Sequence, residues 1–578
     1  MGMTIGGPAA AAQTRVTIDD LPLAARRAIR GWCMYDWANS AFATSGLVAI
    51  FPVYFVFLFR ESLGSSVSVL GITFTGSSVW GLAVAVSTAI VVISSPVLGV
   101  LSDRIPIKRL LLWTYTGVGS LFTMLAFFCA YVGQPWVWLI GAFTLANIGF
   151  AGSQIFYNAF LPHLAPRHLA DAISSRGYAY GYAGGGLLLL AHLALILATQ
   201  DSDIADLATR IAIATVGLWW FGWSLWTFKT LPEPPLARTA ARTGPNPVLV
   251  AFSELRQTFG ELRRFRVVLV YLGAFLLFND GLQTIITIAG ALAADTLRIP
   301  LALNMGTIVI IQFIAIPGAL FFGRLAERFT TKSALTVALI GWIVIVLFGV
   351  SVAPLEPSSH QDFEVQIEYQ AGDGRYVVEV AAESDDAGTD GQVLTPADLL
   401  EGSTLMPDRL RAVLRQAGDS PDYEYSISVS GGPLDGSVAI GAGHPSAIGA
   451  GPVDFWPLLM RDLVWNRLGI DAGYQWLILG VLVGSVIGGS QALARSLFSQ
   501  ITPQSRSGEF FSFFGFMSRA SAVFGPTLYI AATAAFDTRV AVTSILLIIV
   551  AGTIVLRWVD VESGARVAMA EDARGGAG

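Results

Sequence analysis

Twelve stretches of about twenty mostly apolar residues run through this sequence, and that pattern leaves few folds open. They fall near 32–59, 78–101, 110–132, 136–160, 178–199 and 208–230, and again near 266–294, 302–324, 333–353, 474–497, 509–533 and 540–558. A bilayer core of about 30 Å is crossed by about 20 residues of α-helix, which satisfies its own backbone in lipid. Charged residues make up 13% of the chain, against roughly 25% in soluble domains, too few to cover a water-exposed surface. The pattern predicts an all-α membrane protein with twelve transmembrane helices. No basic stretch, apolar run and cleavage site opens the chain, so the first span is expected to serve as the insertion signal. Cys33 and Cys129 lie in apolar runs and read as packing residues.

Basic residues mark alternate connections. Arg26, Arg27 and Arg30 precede the first span; Arg104, Lys108 and Arg109 follow the second; Arg167 and Arg176 follow the fourth. Arg256, Arg263, Arg264 and Arg266 sit between the sixth and seventh, and Arg324, Arg328 and Lys332 follow the eighth. The other connections hold little beyond Arg60, Arg210, Arg298 and Arg539. The basic side is expected to be cytoplasmic in a cell membrane, with both termini inside.

The sequence repeats itself. Gly99-Val-Leu-Ser-Asp103-Arg104-Ile-Pro-Ile-Lys108 aligns with Gly323-Arg-Leu-Ala-Glu327-Arg328-Phe-Thr-Thr-Lys332. Ser153-Gln154 before Pro166 matches Ser490-Gln491 before Pro503 at the same spacing. Both pairs fall in corresponding places of two six-span sets, which predicts two pseudo-symmetric halves. Their offsets, about 224 and about 337, differ by roughly 113 residues, which must have entered the second half between its second and fourth spans. Composition places that insertion at 354–470, a polar stretch with 19 of the 41 acidic residues; without it the chain is net basic.

The expected organisation is therefore a six-helix half over 1–230 and a cytoplasmic linker over 231–265. Helices seven to nine follow over 266–353, then an extracytoplasmic soluble insert over 354–470, and helices ten to twelve with a cytoplasmic tail over 471–578. Within the insert, alternating runs Phe363–Tyr369 and Tyr376–Val380 flank Gly372-Asp373-Gly374 and predict a hairpin. Tyr423–Val429 and Val438–Ile440 around Asp435-Gly436 predict a second, with a helix between Pro396 and Gly418. Phe455–Trp465 has the pattern of a short amphipathic helix at the membrane surface. The insert reads as a small α+β domain whose acidic face is a solvated surface more readily than a cation site.

The Gly-x-Leu-Ser-Asp-Arg loop followed by Lys108-Arg109 resembles the loop signature of the major facilitator superfamily. More specific are Tyr35-Asp36-Trp37-Ala38-Asn39-Ser40-Ala41-Phe42, Phe156-Tyr157-Asn158-Ala159-Phe160-Leu161-Pro162, Phe278-Asn279-Asp280-Gly281-Leu282-Gln283-Thr284 and Gly489-Ser490-Gln491-Ala492-Leu493-Ala494-Arg495-Ser496. Together they resemble its vacuole-effluxer-like branch, over roughly 30–353 and 471–560 but not over the insert. That resemblance implies a permease working by alternating access. An amino acid or similar small polar solute as substrate rests on family analogy alone.

Polar groups at membrane depth need a partner, a wet cavity or a task; an Asp at a helix centre costs about 2.5–3.5 kcal/mol on insertion scales. Asp280 lies midway along the seventh span with Asn279, Gln283 and Thr284 around it. Asn279 and Gln283 share one helix face, Asp280 and Thr284 the next. Asp280 is a candidate for binding a proton or a substrate amino group, against a plain helix-packing role. Asp36 and Asn39 in the first span face a cavity, or Asp36 pairs with a nearby arginine such as Arg30. Tyr157, Asn158, Gln491 and Arg495 bring further polar groups inward. Arg495 could hold a substrate carboxylate, or anchor the end of the tenth span near Pro503; its position favours the anchor.

In the packing the resemblance implies, Asp103 lies near the start of the eleventh span and Glu327 near the start of the fifth. Each acid at a helix N-terminus is worth about 0.3–2 kcal/mol. With Arg104, Lys108, Arg109 and Arg328 they form a candidate cytoplasmic gate, made when that side is closed and broken when it opens. Gly184–Gly186, Gly484, Gly488 and Gly489 fit close helix approach. The chain has no phosphate-binding Gly-x-x-x-x-Gly-Lys loop, no metal spacing among His163, His168, His192, His360 and His444, and no hydrolase motif. Neither enzyme activity, cofactor, metal nor nucleic acid is expected; the partners are lipid, a small polar solute and, as a candidate coupling ion, the proton. The rival reading is a sensor or scaffold whose insert, 354–470, binds an extracytoplasmic ligand or protein.

Overall fold

The computed structural model describes residues 17–576 except 65, 70–71, 201, 236–263, 292–296, 298, 300, 353–356, 358, 382–398, 420–422, 424, 443, 445–452, 522–523 and 536–537. Most of the linker, with Arg256 and Arg263, and Arg298 thus lie outside the described residues. Eleven helices among the described residues are long and apolar enough to cross a membrane, so the chain is a multi-pass membrane protein.

The first crossing is longer than its apolar run. Helix α1 (Leu23–Ala41) passes into a π-helical stretch, Phe42–Ile50, and then into α2 (Phe51–Leu63), 41 residues without a break. A two-stranded hairpin absent from the sequence-based expectations follows, β1 (Ser66–Val69) and β2 (Ile72–Thr75). Then come α3 (Gly76–Arg104), α4 (Lys108–Leu125), α5 (Pro135–Ala159), the single turn α6 (Leu161–Leu164), α7 (Ala170–Thr199) and α8 (Ala205–Thr230). The second set opens with α9 (Arg266–Ala291), α10 (Leu301–Arg328) and α11 (Thr331–Ser351). Local chemistry fixes several starts. The Thr75 hydroxyl caps Ser78 N of α3 and the Thr330 hydroxyl caps Ser333 N of α11. Pro135 opens α5, where its missing N–H costs nothing.

Between α11 and the next long helix lies a five-stranded sheet. Its strands are β3 (Val365–Gln370), β4 (Arg375–Val380), β5 (Thr404–Leu405), β6 (Ser426–Ser430) and β7 (Val438–Ile440), ordered β5-β4-β3-β6-β7. The β3–β4 and β6–β7 hairpins join through a parallel β3–β6 pair, Val365 opposite Ile427. Helix α12 (Pro407–Asp419) lays Leu410, Val413 and Ala417 on Val365, Ile367, Val378 and Ile427, a core separate from those of the long helices. Helix α13 (Phe455–Met460) then packs against the end of α11, where Trp456 Nε1 donates to Leu347 O and Trp465 Nε1 to Ser351 O.

Helix α14 (Ala472–Ile501) begins at Asp471, whose carboxylate accepts from Tyr474 N at 2.9 Å. The run expected as one span at 509–533 is instead two helices, α15 (Ser507–Ala520) and α16 (Phe524–Ala535), each too short to count as a crossing by itself. Pro526 stands in the first turn of α16, where a missing N–H costs nothing. Helices α17 (Thr538–Leu556) and α18 (Val561–Gly576) close the chain.

The helices form two groups with separate cores. Phe42, Phe51, Phe55, Phe143 and Trp220 belong to one, Tyr271, Phe278, Leu339, Trp342 and Phe498 to the other. Close approach within and between them is glycine-dependent: a methyl at Gly184 would stand 2.4 Å from Trp37 O, and one at Gly488 2.7 Å from Ala315 O.

Candidate transport cavity and its closed end

One cavity of about 1610 Å³ lies between the two groups of helices. Its wall takes polar residues from α1 (Asp36, Asn39, Ser40), α5 (Gln154, Asn158), α7 (Tyr178, Tyr182), α9 (Asn279, Gln283), α14 (Gln491, Arg495) and α15 (Arg519). Six residues of the π-helical stretch also line it, Ala43, Thr44 and Leu47–Ile50, so the irregular backbone sits where the helix meets open space. The cavity extends past Tyr54, Asp206, Asn304 and Trp476, toward the end of the molecule that carries β1, β2 and the five-stranded sheet. At the opposite end, where both described termini lie, packing closes it.

Asp36 and Arg495 form its floor. Both guanidinium NH groups lie 3.3 Å from Asp36 Oδ2, and both side chains are buried. The arginine spends its other donors on Ser174 Oγ (2.9 Å), Ser174 O (3.0 Å) and Asn158 Oδ1 (3.2 Å). A guanidinium has five N–H groups, and five hydrogen bonds are made, two of them to Asp36 Oδ2. Its carbon stands 4.3 Å from the Tyr178 ring centroid, 4.6 Å from that of Trp32 and 5.5 Å from that of Tyr157. Trp32 stacks on Tyr157 at 4.5 Å and donates to its carbonyl, so the aromatic cage is itself held. The partner of Asp36 is therefore Arg495, from the other group of helices, and not Arg30. Arg495 is neither a free carboxylate receptor nor a simple anchor for the end of its helix, because its donors are already committed.

The structure divides the polar cluster of α9. Asn279 and Gln283 face the cavity, and Asn279 Nδ2 donates to Ser521 Oγ. Asp280 and Thr284 are buried on the adjacent face against α16, where Gly525 abuts Thr284 Oγ1 and Asp280 Oδ2. Asp280 is thus not a cavity residue in this conformation.

Below the floor the two groups are bolted together. Asp103, at the end of α3, accepts Gly508 N and Glu509 N, each at 2.9 Å, at the first turn of α15. Lys108 Nζ bridges Asp103 Oδ1 (2.9 Å) and Ser507 Oγ (2.8 Å), and His163 Nε2 reaches the same hydroxyl. Ser512 Oγ donates to Ser95 O, and Gly99 packs on Gly508. Arg104 ends α3, and Arg109 donates to Phe228 O. Glu327 and Arg328 end α10 exposed, Arg328 over the Phe329 ring. At the start of α7, Asp171 accepts from Thr331 Oγ1 (2.7 Å) and Ser496 Oγ (2.6 Å), and Glu327 lies close enough to act on its charge, near the start of the fifth crossing.

Sequence reasoning passed over Asp171, Ser174, Arg519 and the C-terminal helix. Arg519 carried a readable signal, a full charge in the middle of an apolar run. Asp171 did not, because the start of a span is an ordinary place for an acid. Three arginines reach α18: Arg167 donates to Asp572 at 3.0 Å, Arg264 meets Glu571 at 2.6 Å and Arg506 reaches Glu571 at 3.7 Å. Glu233, just past α8, accepts Lys108 N and Arg109 N and so caps α4.

Two helical groups around a large cavity closed at one end define a transporter of the major facilitator type. Solved structures share the fold. FucP, a major facilitator transporter in the outward conformation, superposes with a TM-score of 0.53 at 10% identity, covering 93% of this chain and 99% of that one. A bacterial homologue of the iron transporter ferroportin, in its outward-facing state, gives 0.51 at 13% identity over 93% and 99%. The sequence narrows this further: the family described as vacuole effluxer Atg22-like matches residues 24–357 and 447–569, and the chain belongs to that family. The uncharacterized MFS-type transporter YxiO of Bacillus subtilis (strain 168) is 24% identical over 552 residues, 94% of this chain and 96% of its own length. Autophagy-related protein 22-1 of Aspergillus fumigatus is 28% identical over 178 residues, 29% of this chain and 28% of its own.

Proposed function

We propose that this protein is a secondary active transporter of small polar solutes that works by alternating access. In this reading twelve helices form two six-helix halves, with α15 and α16 together making the eleventh crossing. Residues 354–470 are an extracytoplasmic domain inserted between the ninth and tenth crossings, and the closed end is cytoplasmic in a cell membrane. The conformation is then outward-open. The observation that carries the reading is the cavity itself, open toward one end and floored by an ion pair whose partners belong to different halves. For the cavity to open inward, Asp36 and Arg495 must part, along with Asp103 and the start of α15.

Family membership favours amino acids among the candidate solutes, and the proton is the candidate coupling ion. Protonation of Asp36 removes the charge that holds Arg495, which makes this pair the natural place to link a proton to opening. Asp280 is the second candidate acid. Flux into proteoliposomes, over a panel of amino acids and small polar solutes with and without a pH gradient, tests the reading. Gradient-driven uptake by the wild type that Asp36→Asn uncouples is the expected result. Uptake that ignores the gradient removes the proton, and coupling lost only in Asp280→Asn moves it to α9. No flux from folded protein for any solute overturns the transporter reading.

A further inference from the structure

The cavity wall has four charged side chains, Asp36, Asp206, Arg495 and Arg519. Three are spoken for. Asp36 holds Arg495, while Asp206 accepts from Arg210 at 2.7 Å and from the Tyr54 hydroxyl at 2.6 Å. Among the described residues Arg519 makes no hydrogen bond and no ion pair. It lies twelve residues into α15, about 18 Å along the helix from the closed end. A cation at that depth is expensive unless something answers it.

Its position in the interface is specific. Along one face of α15, Gly508 packs on Gly99, Ser512 bonds Ser95, and Gly515 meets Ile155. Arg519 is the next position on that face, one turn beyond Gly515. It stands where the sealed contact between the two helical groups gives way to the cavity. The antiparallel register that sets Ser512 against Ser95 and Gly508 against Gly99 sets Thr88, another cavity residue, across the gap from Arg519.

We propose that Arg519 is the anion-binding residue of the cavity, and that the transported solute carries a carboxylate or similar anionic group and a net negative charge, as an acidic amino acid does and a neutral one does not. The proposal rests on the transporter reading for the word transported, but the binding site stands by itself. Both cavity carboxylates are already paired, so a substrate cation finds no open counter-charge, whereas an anion finds a guanidinium able to take it in bidentate fashion. The surrounding wall is largely apolar, including Ile155, Val92 and Phe516, which fits a compact organic anion better than a sugar. An anion held between Arg519 and α3 draws the helical groups together just above their existing seal, as closing over a substrate requires.

The test is binding first and flux second, on the full-length protein. Trp476 lines the cavity, so tryptophan fluorescence and thermal stability in detergent are measured against matched pairs: benzoate and benzamide, butanoate and butanamide, glutamate and glutamine. The expected result is saturable quenching and a raised melting temperature with anions, about tenfold or more weaker with each neutral partner. Arg519→Met abolishes that preference and Arg519→Lys keeps part of it. If Arg519→Met fails to fold, the wild-type charge series still decides. Equal response to anion and amide, or tighter binding of amines, overturns the proposal. Anion-selective binding without flux keeps the site and sinks the transporter reading; flux of neutral or cationic solutes that Arg519→Met leaves unchanged does the reverse.

Discussion

Asp36 and Arg495 are separated by 459 residues in the chain and meet at 3.3 Å beneath the cavity, one from each helical group. The pair is buried and ringed by Trp32, Tyr157 and Tyr178. Such a pair adds little net stability compared with a well-packed apolar contact, but losing one partner strands the other. Asp36→Asn is therefore expected to destabilise the outward-open state by about 3–5 kcal/mol, and Arg495→Gln by a similar amount. The double variant should lose clearly less than the two single losses combined, because neither charge is left alone. Melting curves of the purified proteins check this, and strictly additive losses would show that the two groups do not interact.

The seal below the floor depends on backbone contact. At Gly508 a side chain would meet Ser102 Oγ at 2.4 Å and Gly99 O at 2.6 Å, and backbone cannot step aside as a flexible side chain does. Gly508→Val is expected to hold the closed end apart and trap the protein open on that side. In a background with Cys33→Ser and Cys129→Ser, a cysteine at Gln154 should then react with an impermeant maleimide from the terminal side and stop reacting from the other. Unchanged sidedness would mean that closure does not need the Gly99–Gly508 approach.

The C-terminal helix is a strap across the same end. Asp572 holds Arg167 and also accepts Gln504 N (3.1 Å) and Ser505 N (2.9 Å), while Glu571 meets Arg264. Glu571 is buried but Arg167, Arg264 and Asp572 are only partly so, which holds each contact to about 1 kcal/mol or less. Truncation after Asp560 is expected to leave the fold intact and to raise labelling of the Gln154 cysteine from the terminal side by about tenfold or more. A truncated protein whose labelling matches full length would assign the strap no part in closure.

Much of the architecture was legible because membrane depth reduces the choices. Apolar runs, basic connections and the duplicated loop each report on one physical constraint. The Asp103 contact with the start of α15 followed from the packing that the family resemblance implied. The break between α15 and α16 was hidden by a run that remains apolar on both sides of it, so hydropathy alone reads one helix. Asp280 misled for a related reason. Periodicity separates its face from that of Asn279 but does not say which face meets the cavity; only the neighbouring α16 decides. The Asp36–Arg495 pair is a contact between distant segments, and no local pattern records it. Arg519 was within reach of the argument applied to Asp280.

The insert gives the last expectation. Its sheet and α12 bury Val365, Ile367, Tyr376, Leu410 and Ile427 in a core of their own, and family similarity leaves out residues 358–446. The segment is therefore not needed to complete the cores of the long helices. Yet its final part serves the membrane region, because Trp456 and Trp465 donate to the last turn carbonyls of α11, Leu347 O and Ser351 O. Each such bond is worth about 0.5–1.5 kcal/mol, and both rings also bury apolar area. Replacing residues 357–452 with a short Gly-Ser linker should thus leave folding and the cavity's ligand response in place. Removing 354–470 entirely should lower the melting temperature further, because it takes both tryptophans. The comparison is made on the two deletions side by side, by thermal melting and by the same fluorescence titration. Loss of ligand response in the smaller deletion would assign the insert a direct part in substrate capture, as a sensor-like domain would have.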